Sequence, residues 1–139
     1  MSTPYGLAIR LEDAKLAAAA AIAEARRNGW TMAIAVTDTG GALVYFERMD
    51  ETQIGSSAIA ADKARSAALF KRPTKAFQDA LAGGGEGMRV RGLAGAVPVE
   101  GGVPLIREDR IVGAIGVSGG LSAQDGQCAR AGAEALSPA

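Results

Sequence analysis

Two β-type runs that close on a glycine turn, "TMAIAVTDTGGALVYFER", constrain this chain more than any other stretch. Thr31 to Thr37 and Ala42 to Arg48 have the branched and aromatic content of strands, and Asp38-Thr39-Gly40-Gly41 between them supplies backbone that reaches positive φ. That is a hairpin. The last third repeats the logic, with Val103 to Arg107, a tight turn at Glu108-Asp109, and Arg110 to Ser118, preceded by a short strand expected near Ala96 to Val99. Hairpin connections dominate, so the sheet is expected to be antiparallel, with about five strands.

Helical periodicity fills the rest. From Leu11 to Asn28 the residues Leu11, Ala14, Ala18, Ile22 and Ala25 fall on one face, acids open the segment, Arg26 and Arg27 close it, and Gly29 stops it. Ser56 or Ser57 can cap a second helix to about Phe70, and Pro73 ends it and starts a short third one through Leu81. The stretch "AGGGEGMRVRGLAG" reads as a flexible loop made locally basic by Arg89 and Arg91. Ser122 is expected to cap a last helix, with Asp125 three residues on, where a carboxylate can return a bond to the cap. The order is α-β-β-α-α-β-β-β-α, an α+β architecture of helices packed on a sheet. At 139 residues, residues 1–139 are expected to form one domain, burying about 70% of the unfolded surface.

Fifteen basic and fifteen acidic side chains cancel, and no run of like charge offers a footprint for nucleic acid or an acidic membrane. A small or neutral partner fits better. The alanine run Ala17 to Ala21 is expected to be a helix of the mature protein and not a secretion signal, because Glu12 and Asp13 precede it and Glu24 interrupts it. With one cysteine, Cys128, and no such signal, a reducing cytoplasmic setting is the expectation. The chain has no histidine, which removes the commonest general base, metal ligand and proximal haem ligand together. No metal site is expected, and any chemistry falls to Lys, Arg, Asp, Glu, Ser, Thr, Tyr or Cys128.

Lys63 stands out because helical spacing places it with Ile59, Ser66, Ala67 and Phe70 on the packed side. A lysine there either packs its stem and pairs its amine, or serves a ligand. "ERMD" sets Arg48 and Asp50 at a strand end, either a solvated charge cluster or part of a site shared with Lys63. "VEGGVP" sets Glu100 beside Gly101 and Gly102: a turn, or the seat of a general base if burial raises the carboxyl. In "IVGAIGVSGGLSAQD" the spacing matches neither the dinucleotide fingerprint nor a P-loop. Gly113 and Gly116 suit a strand approached closely by another backbone, a helix or a flat ligand, while Ser118, Gly119 and Gly120 leave amides at a helix start that favour an anion.

The segments "IAVTDTGGALVYFERMD", "SAIAADKARSAA", "VEGGVPLIREDRIVGAIGVSGG" and "QDGQCARAGAEAL" resemble, in order and spacing, the GlcG/HbpS-like family, also seen as the C-terminal domain of PduO-type adenosyltransferases. The resemblance implies a profilin-like fold with a five-stranded antiparallel sheet, assembly into homo-oligomers, and haem binding or degradation in some members. Iron ligation in this chain would fall to Tyr45, Cys128, a methionine, a threonine or a lysine. Two functions are expected. One is an oligomer binding haem or another flat anionic molecule in a cleft lined by the second helix, the GG-x-P turn and the Arg89/Arg91 loop, with Arg48, Asp50, Gly101, Gly102, Ser118 and Gly119 contributing. The other is a cofactor-free lyase, isomerase or hydrolase in which Lys63 and Arg48 hold a substrate carboxylate and Glu100 or Asp125 moves a proton.

Overall fold

The computed structural model describes residues 2–136. The elements are α1 (Leu11–Arg27), β1 (Ala33–Thr37), β2 (Leu43–Arg48), α2 (Ser56–Phe70), α3 (Thr74–Ala82), a 3-10 segment (Gly85–Gly92), β3 (Gly102–Arg107), β4 (Arg110–Ser118) and α4 (Ser122–Glu134). The strands form one antiparallel sheet in the order β2-β1-β4-β3. Both hairpins stand where the turn chemistry puts them. At the first, Asp38 Oδ1 accepts the amides of Gly40 and Ala42, both at 2.9 Å.

The sheet has four strands among the described residues, not five. The strand expected near Ala96 to Val99 is loop because its donors are spent elsewhere: Ala96 N–H goes to Leu93 O, Val97 N–H to Ser66 Oγ, Glu100 N–H to Gln78 Oε1, and Pro98 has none. The N-terminal segment instead lies beside the start of β4, with Gly6 N–H donating to Ile111 O at 2.9 Å and Ile111 N–H to Pro4 O at 2.8 Å. The glycine-rich stretch expected as an open loop is wound into 3-10 turns. Gly87 packs so closely on α3 that a Cβ there would fall 1.8 Å from the Ala80 carbonyl.

Two unlike faces follow from strand alternation. Ile34, Val36, Ile115, Val117 and Leu105 point toward α1 and α4 and form the main core with Ala17, Ala18, Ala21, Ile22, Cys128 and Ala129. Each large side chain buried there contributes about 1.5–3 kcal/mol. Ala33 and Ala35 point the other way, against Ala60 and Ala64 of α2. Small residues on both sides let α2 settle onto the sheet backbone: a Cβ on Gly116 would stand 2.0 Å from Ala60 O. The strand glycine is thus explained by a helix and not by a flat ligand.

Candidate functional site

The close seating of α2 carries Lys63 to the end of β4, where its side chain is 1% exposed. Its Nζ donates to Val117 O at 3.0 Å and to Asp125 Oδ2 at 2.9 Å. Asp125, on the first turn of α4, accepts the Gly120 amide on Oδ1 at 2.9 Å. Burial raises the Asp125 carboxyl above its ordinary value, against the opposing pull of the Gly120 amide, Lys63 and the Gly119 amide. The expected cap at Ser122 is therefore corrected: Leu121 precedes the helix, Gln124 Oε1 accepts its amide at 3.0 Å, and Asp125 turns inward to Lys63. The anion favoured by the amides after Ser118 is the chain's own carboxylate.

Gly101 backs directly onto this pair. It has φ +137, its carbonyl accepts Val117 N–H at 2.9 Å, and a Cβ would sit 2.8 Å from Lys63 Nζ. Next to it, Thr74 Oγ1 accepts Gly102 N–H at 2.9 Å and Gln78 Oε1 accepts Glu100 N–H at 2.7 Å, so one face of α3 holds the GG-x-P turn. Glu100 is 6% exposed, and its Oε2 receives Arg130 at 3.0 Å. The carboxylate lies flat on α4, where a Cβ on Gly126 would come within 2.0 Å of Oε2.

On the outer side of this turn is a cleft of about 350 Å³ between α3 and α4, lined among others by Lys75, Asp79, Glu100, Gly102, Gly126 and Arg130. Lys75 pairs with Asp79 at 2.8 Å and is further biased toward its charged form by Glu100. Two cations, two carboxylates and a glycine floor thus meet at one opening.

The predicted site residues divide into four places. Glu100, Gly101 and Gly102 line the cleft. Lys63 and Asp125 lie behind it, with Ser118 (6% exposed) and Gly119 at the end of β4 above them. Arg48 and Asp50 line a different cavity of about 390 Å³ with Arg26. Arg89 and Arg91 are exposed on the 3-10 segment, Arg89 3.8 Å from Glu86. The cavity at the GG-x-P turn is walled by α3 and α4. Sequence reasoning missed Lys75, Gln78, Gly126 and Arg130; their only signal was spacing of three and four residues on the faces of α3 and α4.

Sheet, helices and cleft define a small α+β protein with a charged opening braced by a buried lysine–aspartate pair. The chain belongs to the HbpS-like family, described as haem degrading protein HbpS-like, which matches residues 9–134. It is 40% identical over 95 residues to protein GlcG of Escherichia coli strain K12, covering 68% of this chain and 69% of that one. A crystal structure of HbpS superposes with a TM-score of 0.86 at 31% identity, covering 94% of this chain and 92% of the other. A PduOC structure solved as a complex with haem gives 0.82 at 26% identity, covering 94% and 96%.

Several of the side chains that could ligate a haem iron in this chain are buried or already engaged. There is no histidine. The Tyr45 hydroxyl donates to Glu47 at 2.6 Å, a bond that raises its pKa and opposes a phenolate ligand. Cys128 is fully buried and its thiol is pushed up to about 12 by that burial. Met32 is fully buried, and the Lys63 amine is held by Asp125. Among the described residues, no group of three or more His, Cys, Asp or Glu side chains could hold a metal ion.

Proposed function

We propose that this protein is a homo-oligomeric, cytoplasmic small-molecule-binding protein whose ligand is a flat organic anion held in the α3–α4 cleft. The observation that carries the reading is the placement of Lys75 and Arg130 at one opening beside the glycine floor of Gly101, Gly102 and Gly126. A carboxylate meeting that pair exchanges with Asp79 and Glu100 for charge-assisted hydrogen bonds to Lys75 and Arg130, and the glycines leave room for a planar body. A volume of about 350 Å³ is at the small end of ligand pockets, which suits one or two rings better than a tetrapyrrole. Family membership and the haem complex of PduOC support binding of a planar acid; the donor set argues against an iron bond. Assembly into homo-oligomers is what the family resemblance implies. The unpaired thiol of Cys128 suits a reducing compartment.

Calorimetric titration with 2-naphthoate tests the reading. Saturable binding is expected at micromolar to millimolar concentration, weakened about tenfold or more by Arg130→Gln or Lys75→Gln. No saturation, or binding indifferent to both substitutions, sinks it. A parallel haemin titration is expected to give no Soret shift of an iron bound by the protein.

A second reading rests on Glu100, a buried carboxylate facing the cleft in a chain without histidine. A ligand carboxylate that draws Arg130 away would leave Glu100 to take a proton from the carbon next to the ligand's carbonyl, as in a cofactor-free isomerase or lyase. Protein-dependent exchange of pyruvate methyl protons in heavy water, lost in Glu100→Gln, is the expected sign; no exchange above the uncatalysed rate removes the reading.

A further inference from the structure

A third cavity, of about 670 Å³, opens at the other end of β3, between the N-terminal segment and the β3–β4 hairpin. Four residues of strand lie between Gly102 at the first cleft and Arg107 at this one, about 16 Å along the sheet, so the two are separate places. Three guanidinium groups line it: Arg10, Arg107 and Arg110. Arg107 is accounted for by Asp13, 3.0 Å away, with the Glu108 carboxylate also acting on it. Arg110 has only the Tyr5 carbonyl, at 3.4 Å, and Arg10 is in no ion pair among the described residues. Three cations thus face two carboxylates: Asp13 is ion-paired with Arg107 and only acted on by the charge of Arg10, so the surplus falls on Arg10 and Arg110, neither within ion-pair distance of an acid among the described residues.

The walls are built, not frayed. Ile111 N–H donates to Pro4 O at 2.8 Å, Gly6 N–H to Ile111 O and Ile9 N–H to Val112 O, both at 2.9 Å, so the N-terminal segment is pinned to β4 on either side of the opening. The Tyr5 hydroxyl donates to Ala68 O and its ring lies under Lys71 Nζ, 4.6 Å from the centroid. Gly6 makes room for Arg110: a Cβ there would stand 2.9 Å from Arg110 Cβ. Leu7, Ala8 and Val112 give the same cavity an apolar side, and Leu7 is 92% exposed.

Guanidinium groups present paired N–H donors that match a carboxylate, and an apolar wall beside them selects what the carboxylate is attached to. We propose that this cavity is a second ligand site, taking a small organic carboxylate with an aliphatic body, its head group on Arg10 and Arg110 and its chain against Leu7 and Val112. The site does not depend on the α3–α4 cleft.

Octanoate is the probe, followed by amide chemical shifts of the labelled full chain. Saturable shifts are expected at Gly6 to Ala8 and at Ile111 and Val112, with no saturation by 1-octanol, and with at least tenfold weaker binding in the Arg10→Gln/Arg110→Gln double variant. Both arginines are exposed, so an unchanged melting curve is expected of that variant, and should it fail to fold the wild-type shift map still tests the site. No saturable octanoate binding, equal binding of octanol, shifts confined to Glu100 to Val103, or full affinity in a folded double variant would each overturn the proposal.

Discussion

Lys63 Nζ lies 2.9 Å from Asp125 Oδ2, and both side chains are sealed from solvent, so α2 and α4 are joined through the backbone at the end of β4. The amine does not reach the cleft; it braces the turn that forms the cleft wall. Removing one member leaves the other charged, buried and without its partner. Lys63→Met is therefore expected to destabilise the fold by about 3–5 kcal/mol, while Lys63→Met/Asp125→Leu recovers much of the loss. Urea unfolding of the two variants checks this; a single variant as stable as the wild type would show that the pair does not brace the fold.

Two carboxylates are expected to give opposite pH dependence. Asp125 has a raised pKa, so its contribution to stability is fully present below the unfolded value near 3.8 and is lost as pH rises through the higher folded value. Asp13 is lowered, chiefly by its hydrogen bond from Arg107, so its contribution is present above 3.8 and is lost as pH falls through the lower folded value. The stability difference between wild type and Asp125→Asn is expected to shift against the wild type as pH rises above 3.8. For Asp13→Asn it shifts against the wild type as pH falls below 3.8. Denaturant melts across pH 3 to 7 read the slopes, and matching slopes for the two variants would contradict the assignment.

What was legible in the sequence is what local chemistry decides. Asp38 with Gly40 and Gly41 wrote the first hairpin, the apolar run from Ile111 to Ser118 wrote a strand buried on both faces, and Lys63 announced itself by its phase on α2. What was not legible depends on which partner a group finds across the fold. Nothing local says that Val97 gives its N–H to Ser66 on α2, and that bond turns an expected strand into loop. Asp125 was placed as a local cap because Ser122 stood three residues before it; a lysine 62 positions away takes it instead. The sequence singles out Arg48 and Arg89 as cations near the motifs, whereas packing alone brings Arg130 to the cleft.

Gly126 tests whether the cleft depends on the close seating of Glu100. Adding a methyl group there places it 2.0 Å from Glu100 Oε2, so Gly126→Ala must push the carboxylate off α4 and away from Arg130. Little net change in stability is expected, because the displaced atoms are the end of a flexible side chain and alanine favours the helix by about 1 kcal/mol over glycine, while 2-naphthoate binding is expected to be lost. Thermal unfolding and titration of the same sample separate the two effects, and unchanged affinity would show that Glu100 does not shape the ligand site.

Cys128 offers a reading of the fold from inside. Its side chain is fully buried between the sheet and α1, and burial, with Glu24 and Asp125 adding to it, holds the thiol up to about 12. A thiol so placed is almost entirely protonated at pH 8 and out of reach of a reagent. Labelling by an aromatic disulfide is expected to be slow in the native protein and to accelerate with urea in step with global unfolding, because α4 must leave the sheet before the sulfur is exposed. Fast labelling without denaturant would mean that α4 opens on its own, and the Lys63–Asp125 brace would then have to be weaker than its geometry implies.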